Sequence, residues 1–154
     1  MPDDLDFVFE MLSDADVMRF YPKRYSRDEA AEWMERMLER YANDGHALWL
    51  AIEKASGNPI GQIGLLRQSV DETDEVEIGY LVHRPFWHQG FATEAAAATR
   101  DFAFHVLGKQ RVISLIRPVN ISSQRVAIRL GMLPEKTTVH AELDHLVFAK
   151  TNST

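Results

Sequence analysis

Between residues 76 and 116 the chain reads as a strand, a small-residue turn, an alanine-bearing helix and a second strand, and this unit restricts the fold more than any other feature. The first strand is predicted from Glu75 to Val82 and contains Val76-Glu77-Ile78-Gly79-Tyr80-Leu81-Val82. The helix opens near Thr93 and runs to Leu107, with Gly108 placed to end it. Its expected inward face carries Ala95, Ala98, Phe102 and Val106. The second strand, Arg111 to Ile116, stops before Pro118. Two strands joined through a helix lie parallel in one sheet.

The flanking sequence is of a different kind. Before residue 46 it reads as helical. Leu5, Val8, Phe9 and Leu12 share one face of a helix from Asp4 to Leu12, and a shorter piece is expected from Asp14 to Phe20. Ser26-Arg27-Asp28-Glu29 has the spacing of a capping box, opening a helix to about Tyr41 that Asn43-Asp44-Gly45 ends. Ala47 to Lys54 and Pro59 to Arg67 read as strands around the turn Ala55-Ser56-Gly57-Asn58. Gln68 to Asp74 reads as a polar loop. A helix from Ser122 to Leu130 ends at Gly131, and two weaker strands follow, Thr137 to Ala141 and Leu143 to Lys150. Hairpin strands around one crossover make a single α+β, or mixed α/β, domain over residues 1–154.

The turn Trp87-His88-Gln89-Gly90-Phe91-Ala92-Thr93-Glu94 carries the chemistry. A helix start presents free backbone N–H groups backed by the positive end of the helix dipole, which suits phosphate. A second helix start, Asn120-Ile121-Ser122-Ser123, follows about thirty residues later. Together they read as a site for a phosphorylated cofactor. The turn lacks the Gly-Lys-Ser/Thr of a Walker loop and the three glycines of a dinucleotide fingerprint. Phosphate here is met by amides rather than through a metal. The alternatives are structural: Gly90 as an ordinary loop glycine, and the alanines as good helix formers.

Three stretches resemble the GNAT-fold N-acetyltransferases: Glu77 to Val82; Pro85 to Ala95; and Asn120-x-x-Ser123-x-Arg125-Val126 through Leu130-Gly131-Met132. Trp87, and Asp16 to Tyr21, resemble the RimJ/RimL-like branch, which includes ribosomal-protein N-terminal acetyltransferases. The resemblance implies a twisted, mostly antiparallel sheet with a central splayed parallel pair flanked by helices. It implies that His88, Gln89, Gly90, Phe91, Ala92 and Thr93 give amides to the pyrophosphate of acetyl-CoA. Leu81 and Val82 would pair with the pantetheine arm, and Asn120 and Ser123 would line its thiol end. The family's first strand is missing ahead of the first helix, so either the sheet has one strand fewer or the natural protein starts earlier. The tyrosine that several members use as a general acid near the last helix is also absent, since none lies between Pro118 and Thr154.

The implied reaction is attack of an amine on the acetyl thioester. Glu77 is the candidate base that takes the amine's proton; its alternative is an exposed strand glutamate in an acidic stretch. A backbone N–H near Leu81 or Val82 would steady the developing oxyanion. Ser123 has two readings, proton donor to the departing thiolate or helix cap. Glu94 fits the helix start electrostatically. Tyr21, Tyr25, Trp33 and Trp49 are core, or line an acceptor pocket with the N-terminal helices. A non-catalytic acyl-CoA-binding module on the same fold is the rival reading.

Composition bounds the partners. The net charge of −6 disfavours nonspecific nucleic-acid binding and accommodates a cationic amine. There is no cysteine, hence no disulfide and no thiolate metal site, and the histidine spacings match no zinc motif. No apolar run suffices to span a membrane. The expected partners are acetyl-CoA and an amine acceptor, without metal, nucleic acid or membrane. The expected state is a monomer or homodimer in the cytoplasm.

Overall fold

The computed structural model describes residues 4–152. Two helices, α1 (Asp4–Ser13) and α2 (Arg27–Asp44), come first. The capping box forms: the Glu29 N–H donates to Ser26 Oγ at 3.2 Å, and the Ser26 N–H donates to the Glu29 carboxylate at 3.0 Å. Helix α2 continues past Tyr41 to Asp44, where Gly45, at φ +79°, donates its N–H to the Tyr41 carbonyl. The segment expected as a short helix, Asp14 to Phe20, is a string of turns. The Asp14 carboxylate accepts the N–H groups of Asp16 at 2.8 Å and Val17 at 3.2 Å, a local alternative to helix.

Six strands form one sheet in the order β1-β2-β3-β4-β6-β5. They are β1 (Leu48–Ile52), β2 (Pro59–Val70), β3 (Thr73–Val82), β4 (Arg111–Ile116), β5 (Leu133–His140) and β6 (Leu143–Thr151). All neighbours are antiparallel except β3 and β4, which run parallel as the crossover requires. Among the described residues no strand precedes α1, so β1 is an edge. The expected loop Gln68 to Asp74 is instead a hairpin. Gln68 pairs with Glu75, Ser69 with Asp74 and Val70 with Thr73, and only Asp71 and Glu72 turn, both at positive φ. Ala141 and Glu142 repeat that device between β5 and β6, and β5 begins at Leu133 rather than Thr137.

Helix α3 (Phe91–Asp101) runs into a π-helical turn, Phe102–Val106, and helix α4 spans Ile121–Arg129. The buried face carries Ala96, Thr99, Ala103 and Phe104, whereas Val106, expected inward, is 68% exposed. An alanine run has no apolar contrast from which to read a phase. The π turn then widens the helix, the Leu107 N–H reaching back to the Phe102 carbonyl.

Helices cover both faces. α3 and α4 bury Ala96, Ala103, Ala127 and Leu130 against Leu65, Ile78, Val112 and Phe148. On the other face α1 packs Val8, Met11 and Leu12 with Ala30 and Leu81, and α2 sets Met37 against Leu48 and Leu66. Side chains alternate along a strand, so each β3 residue is assigned to one face.

Candidate active site

The cleft forms where β3 and β4 part. Glu77 and Ile113 are paired. One step further, side chains stand where the ladder would continue. Ser114 Oγ donates to the Ile78 carbonyl at 2.9 Å, and the Leu115 N–H donates to a Glu77 carboxylate oxygen at 3.3 Å. The strands thus separate without orphaning these polar groups. The gap is a cavity of about 70 Å³ lined by Phe20, Tyr21, Glu77, Gly79, Tyr80, Leu115, Arg117, Asn120, Ser123 and His145, among others.

The lining divides by face. Ile78 and Tyr80 belong to the α3/α4 core, and Leu81 to the α1 core, so Glu77 projects to the α1/α2 face. Gln68 Nε2 donates to the other Glu77 oxygen at 2.9 Å, and burial holds the carboxyl above the ordinary carboxylate range. Tyr21 comes from the turns after α1. The residue is 41% exposed, yet its phenol sits in the cleft, where burial and the Glu77 charge raise its pKa.

On the α3/α4 face Tyr80 meets Ser123. The Tyr80 hydroxyl donates to the Ser123 carbonyl at 2.8 Å and accepts from Ser123 Oγ at 3.1 Å. Burial pushes the phenol up to about 12. Asn120, rather than Ser123, caps α4: its side-chain oxygen accepts the Ser123 N–H at 3.2 Å. Ser123 therefore keeps its hydroxyl for Tyr80.

The turn lies at the exit of β3. His88 is at φ +64° and Gly90 at φ +81°, and both are exposed. The first amide of the helix ladder is that of Glu94, donating to the Gly90 carbonyl at 3.0 Å, so the N–H groups of Phe91, Ala92 and Thr93 precede it. A Cβ built on Gly90 meets nothing within 4 Å, so this glycine serves backbone conformation rather than close packing. Trp87 Nε1 donates to the Val82 carbonyl at 2.7 Å and ties the turn to β3.

One expected residue falls on the wrong edge. The Leu81 carbonyl faces β2, so close that a Cβ on Gly61 would lie 2.1 Å from it. The Ile78 carbonyl points toward β4, and backbone groups alternate along a strand, so Tyr80 and Val82 face the slot. The backbone fronting the slot is thus that of Tyr80 and Val82, the Val82 carbonyl already accepting from Trp87, and Leu81 instead packs its side chain against α1.

These features make a turn with free backbone amides beside a slot between parallel strands, with a carboxylate and a phenol on opposite faces. The domain family described as "Acetyltransferase (GNAT) domain" matches residues 1–133. The chain belongs to the GNAT acetyltransferase family. The uncharacterized protein YkkB of Bacillus subtilis (strain 168) is 34% identical over 127 residues, 82% of this chain and 74% of YkkB. Among solved structures, the acetyltransferase from Agrobacterium tumefaciens str. C58 superposes with a TM-score of 0.85 at 24% identity, covering 99% of this chain and 87% of that one. The ribosomal-protein-S5-alanine acetyltransferase from Vibrio fischeri superposes with a TM-score of 0.73 at 19% identity, covering 98% and 89%. This GNAT protein is an acetyl-CoA-dependent N-acetyltransferase.

Of the residues expected in the acetyltransferase site, Glu77, Asn120 and Ser123 converge on the cleft, and His88 to Thr93 form the turn. Of the candidate aromatics, only Tyr21 lines the cleft: Tyr25 packs edge-on against Trp33, and Trp49 against Phe102. Among the described residues no group of three metal-ligating side chains could hold an ion, and no helix is long and apolar enough to cross a membrane. Sequence reasoning missed Tyr80 and Arg117. Tyr80 stood inside a quoted motif, and strand alternation from Ile78 is the signal that places its phenol toward α4.

Proposed function

We propose that this protein transfers the acetyl group of acetyl-CoA to a primary amine, either a protein N-terminus or a small-molecule amine, by direct attack with both substrates bound. Acetyl-CoA supplies an activated thioester. The residues present fit it: a free-amide turn for the pyrophosphate, at His88, Gln89, Gly90, Phe91, Ala92 and Thr93, and a strand edge for the pantetheine arm, at the Tyr80 backbone and the Val82 N–H, the Val82 carbonyl being held by Trp87. Asn120 and Ser123 border the thiol end. The amine enters from the α1/α2 face.

An alkyl ammonium with a pKa of about 10 must lose a proton before attack. Glu77 takes it, and the raised carboxyl pKa brings the base closer to working pH. The N–H of Tyr80 or Val82 faces the slot and steadies the oxyanion. Tyr80 keeps its proton at neutral pH and gives it to the departing thiolate, with Ser123 hydrogen-bonded to it. Tyr80 thus fills the acid role for which no tyrosine follows Pro118.

The observation that carries this reading is the placement of Glu77 and Tyr80 on opposite faces of one slot. Trp87 and the Vibrio fischeri neighbour support the RimJ/RimL-like branch, and a cytoplasmic setting suits its cofactor. Thiol release from acetyl-CoA with a panel of amines tests the reading, and failure to bind acetyl-CoA in calorimetry overturns it.

A further inference from the structure

Arg117 is out of keeping with the other arginines. Four of the described arginines are withdrawn from the surface: Arg40, Arg100, Arg111 and Arg117. Arg40 donates to the Arg67 carbonyl, Arg100 to the Leu130 carbonyl, and Arg111 to the carboxylates of Glu75 and Glu135. The Arg117 guanidinium meets no acceptor among the described residues. Its Nε is buried, and among the described residues only one other buried side-chain polar atom, His83 Nδ1, is likewise unpartnered. A buried guanidinium N–H without an acceptor is unfavourable. In native structures such a group is completed by ordered water, an ion or a ligand, or serves a catalytic role.

The cation lies in the cleft that holds Glu77. Arg117 directly follows the end of β4 at Ile116 and lines the cleft. Phe20, Tyr21, Glu77 and His145 share the cleft with it. The turn proposed for the cofactor, by contrast, starts α3. A guanidinium is a planar fork of donors that matches a carboxylate in two parallel hydrogen bonds.

We propose that Arg117 binds a carboxylate of the acceptor, so that the substrate is a small amino acid-like amine whose amino group is presented to Glu77 while its acid group is held by Arg117. This rests on the acetyl-transfer reading above and narrows its acceptor, setting aside polyamines and aminoglycosides, which carry no acid. No covalent step is added: the amine attacks as before, and the carboxylate is held through the reaction.

The test uses the full chain and its Arg117→Met and Arg117→Lys variants. Substrates are the proteinogenic L-amino acids, each beside its carboxamide and its decarboxylated amine, with O-phosphoethanolamine as a phosphate-bearing comparison. In the wild type, kcat/KM for at least one acid exceeds that of its neutral partners by roughly 30-fold or more. Arg117→Met removes that preference through a loss of kcat/KM on the acids and leaves acetyl-CoA affinity in place, while Arg117→Lys restores part of it. Turnover of neutral amines at the same efficiency as acids overturns the carboxylate assignment and leaves acetyl transfer standing. So does a preference for O-phosphoethanolamine over every acid, or an Arg117→Met variant that loses acetyl-CoA instead of acceptor. Calorimetric binding of the same amino acids separates the two readings: acid binding that Arg117→Met abolishes, without thiol release on any amine, supports the carboxylate site and fails the transferase mechanism.

Discussion

Glu77 and Tyr80 leave opposite faces of β3 at the point where that strand parts from β4, one toward the amine side and the other toward Ser123. The proposed base and the proposed acid are thus carried by one strand, on either side of the slot. Neither relies on a mobile loop for its position.

Removing the base gives the sharpest kinetic test. Glu77→Gln keeps the shape and an oxygen for the Leu115 N–H, so acetyl-CoA affinity should hold while kcat falls by roughly 100-fold or more. The wild-type rate should climb with pH through a carboxyl pKa above the ordinary value, because burial raises it and the ionised form is the base. A pH–rate profile of both proteins checks this, and an unaltered rate removes Glu77 from the mechanism.

The same shift has a stability consequence. A carboxyl whose folded pKa lies above its unfolded value binds more protons when folded. Its stabilising contribution is full below the unfolded pKa and is lost as pH rises through the folded one. The melting temperature of the wild type relative to Glu77→Gln should therefore decline between acidic and neutral pH. A constant difference across that window contradicts the buried placement.

Tyr80→Phe and Ser123→Ala separate the acid from its neighbour. Loss of the phenol should lower kcat by roughly 100-fold and cost about 1 kcal/mol of stability, because the Ser123 carbonyl loses its donor. Ser123→Ala leaves that donor in place and should lower the rate less. Thiol release and thermal melts on the pair decide which group carries the proton.

Gly90→Ala acts through backbone alone, since its Cβ meets no atom but its φ is +81°. The left-handed conformation should cost about 1–2 kcal/mol, raising the acetyl-CoA Kd by about tenfold wherever the turn relaxes. Calorimetry should show the weaker binding with acceptor KM unchanged. Unchanged acetyl-CoA affinity would place the cofactor phosphates elsewhere.

Local chemistry was legible wherever the chain signals to itself. The capping box at Ser26, the crossover from β3 to β4 and the turn before α3 all follow from neighbouring residues. The hairpin through Gln68 to Asp74 was hidden because two consecutive positive-φ residues, Asp71 and Glu72, are not the usual Asn-Gly. The phase of α3 was hidden by four adjacent alanines and a π turn. In the cleft, Glu77, Asn120 and Ser123 were readable, whereas Tyr80 and Arg117 become informative only through partners far along the chain. Tyr80 is defined by Ser123, and Arg117 by the acceptor it lacks.

Ser114 and Glu77 occupy the very groups through which β3 and β4 would otherwise zip together. The slot is therefore open before anything arrives. On the proposed placement of the pantetheine arm no strand has to be pried away for it to enter, so its binding energy would go into contacts rather than deformation, and capture of the donor would not wait on a rearrangement of the sheet.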